Sequence, residues 1–531
     1  MGVRISTAGE ELPVSPPRLR ASKEHGGIVA VPAFDCVSAL LGENWRSLAN
    51  TTLTVLGKPL PDLRRLARRE ILDASARYHL EHGEDPPRVS SDEVGFWFVA
   101  GHQPELFHPG VWYKNFVLHE LAKIHQTVSV NLIIDTDATK PTLLHVPAGE
   151  HIARVPFDRS TAETPYEERV VEDEATYADV PKRVAALASG WHWTPMVESF
   201  WNEAMRQAGR TRFLGERIAG ARRAIERRWG MVQRELPMSR VCDGDAFAYF
   251  VCAILAELPR FRTEYNRALL AYRHENGIRS RSHPVPELAT VDGWLEAPFW
   301  AWRVGQSRRA KLFVRRRGDQ YELSAGGDVW PSVSIDDPIA MWSSLRRDGF
   351  KIRSRALTTT MFARLFLADI FIHGIGGGLY DALTDRIMER FFAIPAPSFL
   401  VVSATMLLPL QRHPDAAPQA QSLARRKRDL IYKPELFANR VAQSASLLQK
   451  KQGWIHGDCS THSARARRFT EIRAINAQLA PLVRADRDAC ERELVECRRR
   501  QALDEVARRR DYAFCLYPEE MLQNFFMNPI R

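Results

Sequence analysis

The residues best suited to chemistry in this 531-residue chain fall in three short segments. The first, Gly101-His-Gln-Pro-Glu-Leu-Phe-His-Pro-Gly110, gathers His102, Gln103, Glu105 and His108, with Lys114 just beyond. The second, Asp135-Thr-Asp-Ala-Thr-Lys-Pro141, holds Asp135, Asp137 and Lys140. Imidazole, carboxylate and ammonium groups brought together can exchange protons with a reacting group or grip a zwitterion. The third, His373-Gly-Ile-Gly-Gly-Gly378, is followed by Tyr380 and Asp381. Backbone N–H groups of such a glycine turn can meet an anion where a helix begins, and glycine there permits close approach and positive φ. The order is not G-x-G-x-x-G, and no Walker Lys-Ser/Thr follows, so neither nucleotide fingerprint applies. Upstream, Arg353 and Arg355 offer guanidinium groups suited to bidentate grip on carboxylate or phosphate. His and Asp are competent metal ligands, but their spacing matches no zinc pattern, and no tightly bound metal is expected. No Ser-His-Asp or Cys-His arrangement is legible, which leaves covalent catalysis without support.

The elements that must position these groups follow from periodicity. Gly95–Ala100 reads as a core strand running into the first segment, and Val111–Gln126 as a helix. Val128–Ile134 reads as a second strand ending at the aspartates. The three form a βαβ unit, with parallel strands and a right-handed crossover. Asp369–Ile372 reads as a short buried strand before the glycines, and Leu379, Leu383, Ile387 and Phe391 share one face of the helix after them. All three polar segments then sit at the carboxyl ends of strands, where open α/β sheets bind ligands.

Residues 151–350 are too long for a loop and read as an inserted connecting region, helical at first and then mixed, with a hairpin of Ala310–Arg315 and Tyr321–Ser324. The chain is thereby divided into an N-terminal segment (1–90, loosely ordered to about residue 28), two core halves (91–150 and 351–412) and a C-terminal part (413–531). In the last, Ile472, Ile475, Leu479 and Leu482 keep helical spacing until Pro481 interrupts them. A helical hairpin or coiled-coil dimerisation arm fits that pattern. The tail, Tyr512–Phe526, is apolar enough to pack back onto the core.

A net charge of +10 favours anionic partners. The basic runs 210–234 and 465–510 are poor in aromatics and carry no nucleic-acid motif, so they read as solvated helix faces, and neither nucleic acid nor membrane is an expected partner. Seven scattered cysteines and an N-terminus without a secretion signal point to the cytoplasm.

Together these segments resemble the cysteine-adding enzyme family of bacillithiol synthesis. Gly101–Lys114 is similar to its Gly-Gln-Gln-x-Gly-Leu-Phe-x-Gly-Pro-x-x-x-x-Lys stretch. Arg355–Ile387 resembles the segment leading into its Gly-Gly-Pro turn and helix, with Ile394-Pro-Ala-Pro397 as the loop beyond. Leu516-Tyr-Pro-Glu-Glu-Met-Leu-Gln523 resembles its Leu-Phe-Pro-x-x-x-Leu-Gln ending. The chain departs from the pattern at His102, where the family shows Gln, and at Asp135-Thr-Asp-Ala138, which lacks the family's His. It departs again at the glycine turn itself. The resemblance implies an α/β fold: a Rossmann-like parallel-sheet core with inserted connecting segments and a coiled-coil arm that makes a homodimer. It also implies a ligase that joins cysteine, or another amino acid, through an amide bond to the amino group of a conjugate such as glucosaminyl-malate. Family members are associated with a nucleotide, so ATP or ADP is the cofactor to expect, with Mg only alongside it. In that scheme His102, Asp135 and Asp137 manage protons. Gly101, Gln103, Lys114, Arg355, His373, Gly374, Gly376, Gly377, Gly378 and Tyr380 hold substrate or nucleotide. The alternative is a non-catalytic nucleotide- or metabolite-binding protein on the same fold.

Overall fold

The structure is a computed structural model that describes residues 19–87, 95–159, 163–306, 308–438 and 444–530. Most of the segment expected to be loosely ordered, residues 1–18, lies outside the described residues. The core sheet contains β1 (Gly27–Val31), β2 (Trp97–His102), β3 (Val128–Ile133), β4 (Arg234–Pro237), β5 (Ile370–His373) and β6 (Phe399–Thr405). Their spatial order is β1-β6-β5-β2-β3-β4, parallel throughout except for β1, which runs antiparallel along β6. The fold is therefore mixed α/β on a mixed, largely parallel sheet. The chain steps outward from β2 through β3 to β4, then returns to the other side of β2 for β5 and β6. Winding reverses between β2 and β5, and the crevice outside the carboxyl ends of strands at such a reversal is where open α/β sheets bind ligands.

The sheet is buried on both faces, which explains why β2 reads as a continuous apolar run. Trp97 and Val99 point into one hydrophobic cluster with helix α1 (Leu60–Glu81). Phe98 and Ala100 point into the other, with helix α2 (Pro109–Ile124) and the C-terminal Phe514 and Tyr517. Helix α2 begins with proline in its first turn, and His108 caps it by accepting from the Gly110 N–H at 3.0 Å. Gly110 lies directly against β6. A Cβ there would fall on the Ala404 carbonyl oxygen, so only glycine lets the helix reach the sheet.

Two expectations need correcting. Residues 151–350 are not solely an insertion, because β4 comes from within them and completes the core sheet. It is an edge strand, yet all four residues of its sequence, Arg-Glu-Leu-Pro, are buried, which that sequence does not suggest. Glu235 is buried between Arg222 and Arg223, and Asn131 donates to it at 2.6 Å. Pairing of this kind offsets the desolvation that would otherwise keep charges off a buried strand. The N-terminal segment also adds a strand, β1, at the opposite edge.

The 151–350 region is largely helical from Glu174 to Glu275, and its later part forms a second, antiparallel sheet built on Trp294–Arg303, flanked by Ala310–Arg317 with Gln320–Ala325 on one side and Phe350–Ser354 on the other. In the C-terminal part, helices Ala416–Tyr432 and Arg484–Ala507 pack antiparallel. Leu430 meets Val483 and Cys490 at one end, and Ala420 meets Leu494 and Cys497 at the other. A short 3-10 turn, Ala480–Val483, interrupts the helical run where Pro481 forbids a continuous rod. Tyr512, Phe514, Leu516 and Phe526 are buried on the core, as the tail's apolar character requires. Among the described residues no helix is long and apolar enough to cross a membrane.

Candidate functional site

The ends of β2, β3 and β5 meet at one edge of the sheet, which brings most of the candidate residues together. Lys114, on α2, reaches back under β2 and donates from Nζ to the Gly101 carbonyl at 2.5 Å. It is 2% exposed, and among the described residues no carboxylate pairs with it. Burial alone drives its pKa from 10.5 down to about 7.

Beside it, His102 is half-buried, with Nδ1 3.0 Å from the Gln103 carbonyl and its ring edge-on to Phe107. Burial and the Lys114 charge push its pKa down to about 3. The imidazole is neutral at ordinary pH and a weak base. Gln103 donates to Asp137 Oδ2 at 2.7 Å, while Asp137 Oδ1 accepts from Arg309 at 2.8 Å. That pairing joins the crevice to the antiparallel sheet.

There Arg309 and Arg355 both lie over the Trp300 ring, 4.3 and 4.7 Å from its centroid. Arg355 is not a free anion grip: it donates to buried Glu296 at 2.7 Å, and Lys311 shares the same carboxylate. A β-bulge between Glu296 and Trp300 re-aims these side chains.

Asp135, expected at the same place as Asp137, points elsewhere. It turns toward the start of the chain beyond β4, accepting from the Ser239 N–H at 2.8 Å and hydroxyl at 2.5 Å, beside Glu167. Burial, then the Glu167 charge, raises its pKa to about 7. It faces a cavity of about 100 Å³ between β3 and β4 rather than the β2–β5 crevice.

On the other flank, His373 ends β5 with Nε2 2.8 Å from Asp381 Oδ2. The Asp381 carboxylate also accepts from Arg364 (2.6 Å) and Thr360 (2.8 Å). Arg364 is aimed inward by a π-helical turn, Ala363–Leu367. Burial opposes ionisation of Asp381, yet Arg364 and His373 together hold it well below the usual carboxylate range. Burial likewise lowers the His373 pKa, against the pull of Asp381.

The glycines do not form a left-handed turn. None of Gly374, Gly376, Gly377 or Gly378 has positive φ, and helix α3 (Ile375–Phe391) starts among them with Gly374 as its N-cap and no capping side chain. Glycine is required by close approach instead. A Cβ at Gly377 would stand 2.7 Å from His373 Nδ1, and one at Gly378 would strike Val401 of β6. Gly376 and Gly377 are exposed, so the amide end of α3 opens to solvent beside His373. Tyr380 lies on the flank of α3, its ring edge-on to His283.

Sequence reasoning missed Arg309, Trp300, Glu296 and Arg364, because each meets its partner only across a long stretch of chain. Asp381 carried one usable signal, an acid eight residues after a strand-end histidine. Among the described residues no group of three His, Cys, Asp or Glu side chains could hold a metal ion. No family model matches the chain, and a search of curated proteins returned no match.

Proposed function

We propose that the chain is an amide-forming ligase on a Rossmann-like core, adding cysteine or another amino acid to the amine of a conjugate such as glucosaminyl-malate. The observation that carries this reading is Lys114, an amine buried without a counter-ion at the point where the sheet reverses its winding. Amide formation from an ammonium releases a proton, and a base with pKa near 7 at that place can take it. His102 is too weakly basic for the task and lines the crevice instead. The uncapped start of α3 offers its first N–H groups, and the positive end of its dipole, to a phosphate or carboxylate. A free acid must be activated before an amine can attack it, so ATP with Mg is the implied energy source.

The alternative, a nucleotide- or metabolite-binding protein without turnover, draws support from how completely Asp137 and Arg355 are already paired. Mass spectrometry of protein incubated with glucosaminyl-malate, cysteine and ATP-Mg separates the two. The ligase reading expects a cysteinyl adduct that disappears in Lys114→Met. Nucleotide retention with no adduct from any amino acid tried would favour the binding protein.

The helical arm is proposed as a coiled-coil homodimer contact. Tyr432 and Phe469, the latter 65% exposed, stand beside a groove lined by Ile472 and Val483, and apolar surface of this kind marks an interface. Phe469→Asp should convert a dimer to monomer in sedimentation velocity. A wild-type monomer at micromolar concentration would remove the claim.

A further inference from the structure

We propose that a second pocket, behind the loop that follows β2, binds an α-amino acid with an apolar side chain larger than that of cysteine. The inference rests on the ligase reading for the fate of the bound amino acid, while the binding stands by itself. The pocket lies between that loop, the hairpin of Leu143–Ala148 with His151–Pro156, and helix Leu214–Arg228. Its volume is about 400 Å³, within the range of small-molecule sites. Its floor is apolar, with Leu106, Leu143, Phe157, Leu214 and Ile218. Cysteine would leave most of that surface uncovered, whereas a leucine or phenylalanine side chain would displace its water.

The lining also carries groups of both signs, as a zwitterion needs. Glu105, its side chain 13% exposed, bonds through Oε2 to Lys140 at 2.9 Å, while Oε1 is buried with only the Tyr166 hydroxyl near it. A buried carboxylate can accept more hydrogen bonds than these two neighbours supply, and an ammonium N–H is a donor that suits it. Lys140 is 68% exposed, so its pairing with Glu105 is a weak surface contact that a ligand can displace. Across the pocket, Arg154 and His145 are cross-strand neighbours on the hairpin. Among the described residues no carboxylate pairs with Arg154, and its guanidinium fork matches an α-carboxylate. Tyr166 lines the same wall, where burial and the Glu105 charge keep its hydroxyl protonated.

The loop is a shared partition. Gln103 faces Asp137 in the crevice, and Glu105, two residues on, faces this pocket.

Titration calorimetry on the full chain, without nucleotide or amine acceptor, tests the assignment. L-Leucine or L-phenylalanine should bind about tenfold or more tightly than L-cysteine. N-Acetyl-leucine, or Glu105→Gln with leucine, should lose about tenfold, the value of a charge-assisted hydrogen bond. Arg154→Ala should abolish the preference for leucine over leucinamide. The acetylated ligand needs no variant, so misfolding cannot mimic its result. Equal binding of cysteine and leucine, indifference to acetylation, or no binding of any of the three amino acids at millimolar concentration would overturn the proposal. Leucine binding here, with no amide product from any amino acid in the mass-spectrometric assay, would leave the pocket standing and remove the ligase reading. A cysteinyl product without leucine binding would do the reverse.

Discussion

Asp369→Ala should lower folding stability by roughly 3–5 kcal/mol, the range for stranding a buried charge. Asp369 precedes β5 at the edge of the sheet opposite the crevice and is 1% exposed. Its Oδ1 accepts from Arg64 at 2.7 Å, and its Oδ2 accepts from Arg68 at 2.7 Å and from the Trp97 N–H at 2.8 Å. One carboxylate thus neutralises two largely buried guanidinium groups and ties the amino ends of β5 and β2 together. Burial, with Arg68 alongside, already drives the Arg64 pKa down to about 9, so this cation has little tolerance for losing its partner. The same arginines donate to the carbonyls of Leu365, Leu367 and Ala368, so they cannot swing out to water without breaking those bonds. Asp369→Asn keeps the shape and an acceptor and should lose less than alanine does. Urea unfolding followed by tryptophan fluorescence reads both. A loss below about 1 kcal/mol for alanine, with unchanged slope, would mean that the arginines relax into solvent after all.

Lys114→Met should do two opposite things: abolish amide coupling and stabilise the fold below neutral pH. The amine titrates at about 7 in the folded protein and at 10.5 when unfolded. Below pH 7 both states are protonated, and the folded state carries the full cost of a buried ammonium. Between pH 7 and 10.5 the unfolded chain binds more protons than the folded one, so wild-type stability contributed by this residue rises with pH. The methionine variant should therefore exceed wild type by on the order of 3 kcal/mol at pH 6, with the advantage fading toward pH 10. A carboxylate hidden against Lys114 would reverse that sign, which makes the pH series a direct test of its lack of a counter-ion. Asp135 works in the other direction. Its folded pKa of about 7 lies above the ordinary 3.8, so its contribution is full in acid and lost as pH rises through 7. Asp135→Asn should flatten wild-type stability between pH 4 and 7 and leave the alkaline limb to Lys114.

Much of the scaffold around the crevice is written locally. The run Trp97–Ala100, the proline start of α2 and the apolar face Leu383–Ile387–Phe391 each announce an element through short-range periodicity, and those elements form within a few residues of where the pattern places them. Because strand, helix and strand follow at crossover length, the parallel βαβ unit is also implied. So is the meeting of His102, Asp137 and His373 at one edge of the sheet.

Other features have no local signature. The charged β4 becomes a buried edge strand only because Arg222 and Arg223 come from another element to neutralise it. Asp135 and Asp137 are two residues apart, yet the chain turns after β3 and sends one to Ser239 and the other to Gln103. The glycines looked like a left-handed turn, but the helix runs through them, and the contacts that exclude a Cβ belong to His373 and to Val401 on a neighbouring strand.

Local pattern is enough to say which titratable groups stand at the ends of which strands. Which of them can carry a proton at neutral pH depends on the packed fold. Hydrophobic periodicity acts over a few residues, whereas desolvation and ion pairing depend on everything packed around a group. That is why His102, the residue the sequence favours as a base, is held neutral near pKa 3, and Lys114, which the sequence offers as a binding cation, is brought to about 7.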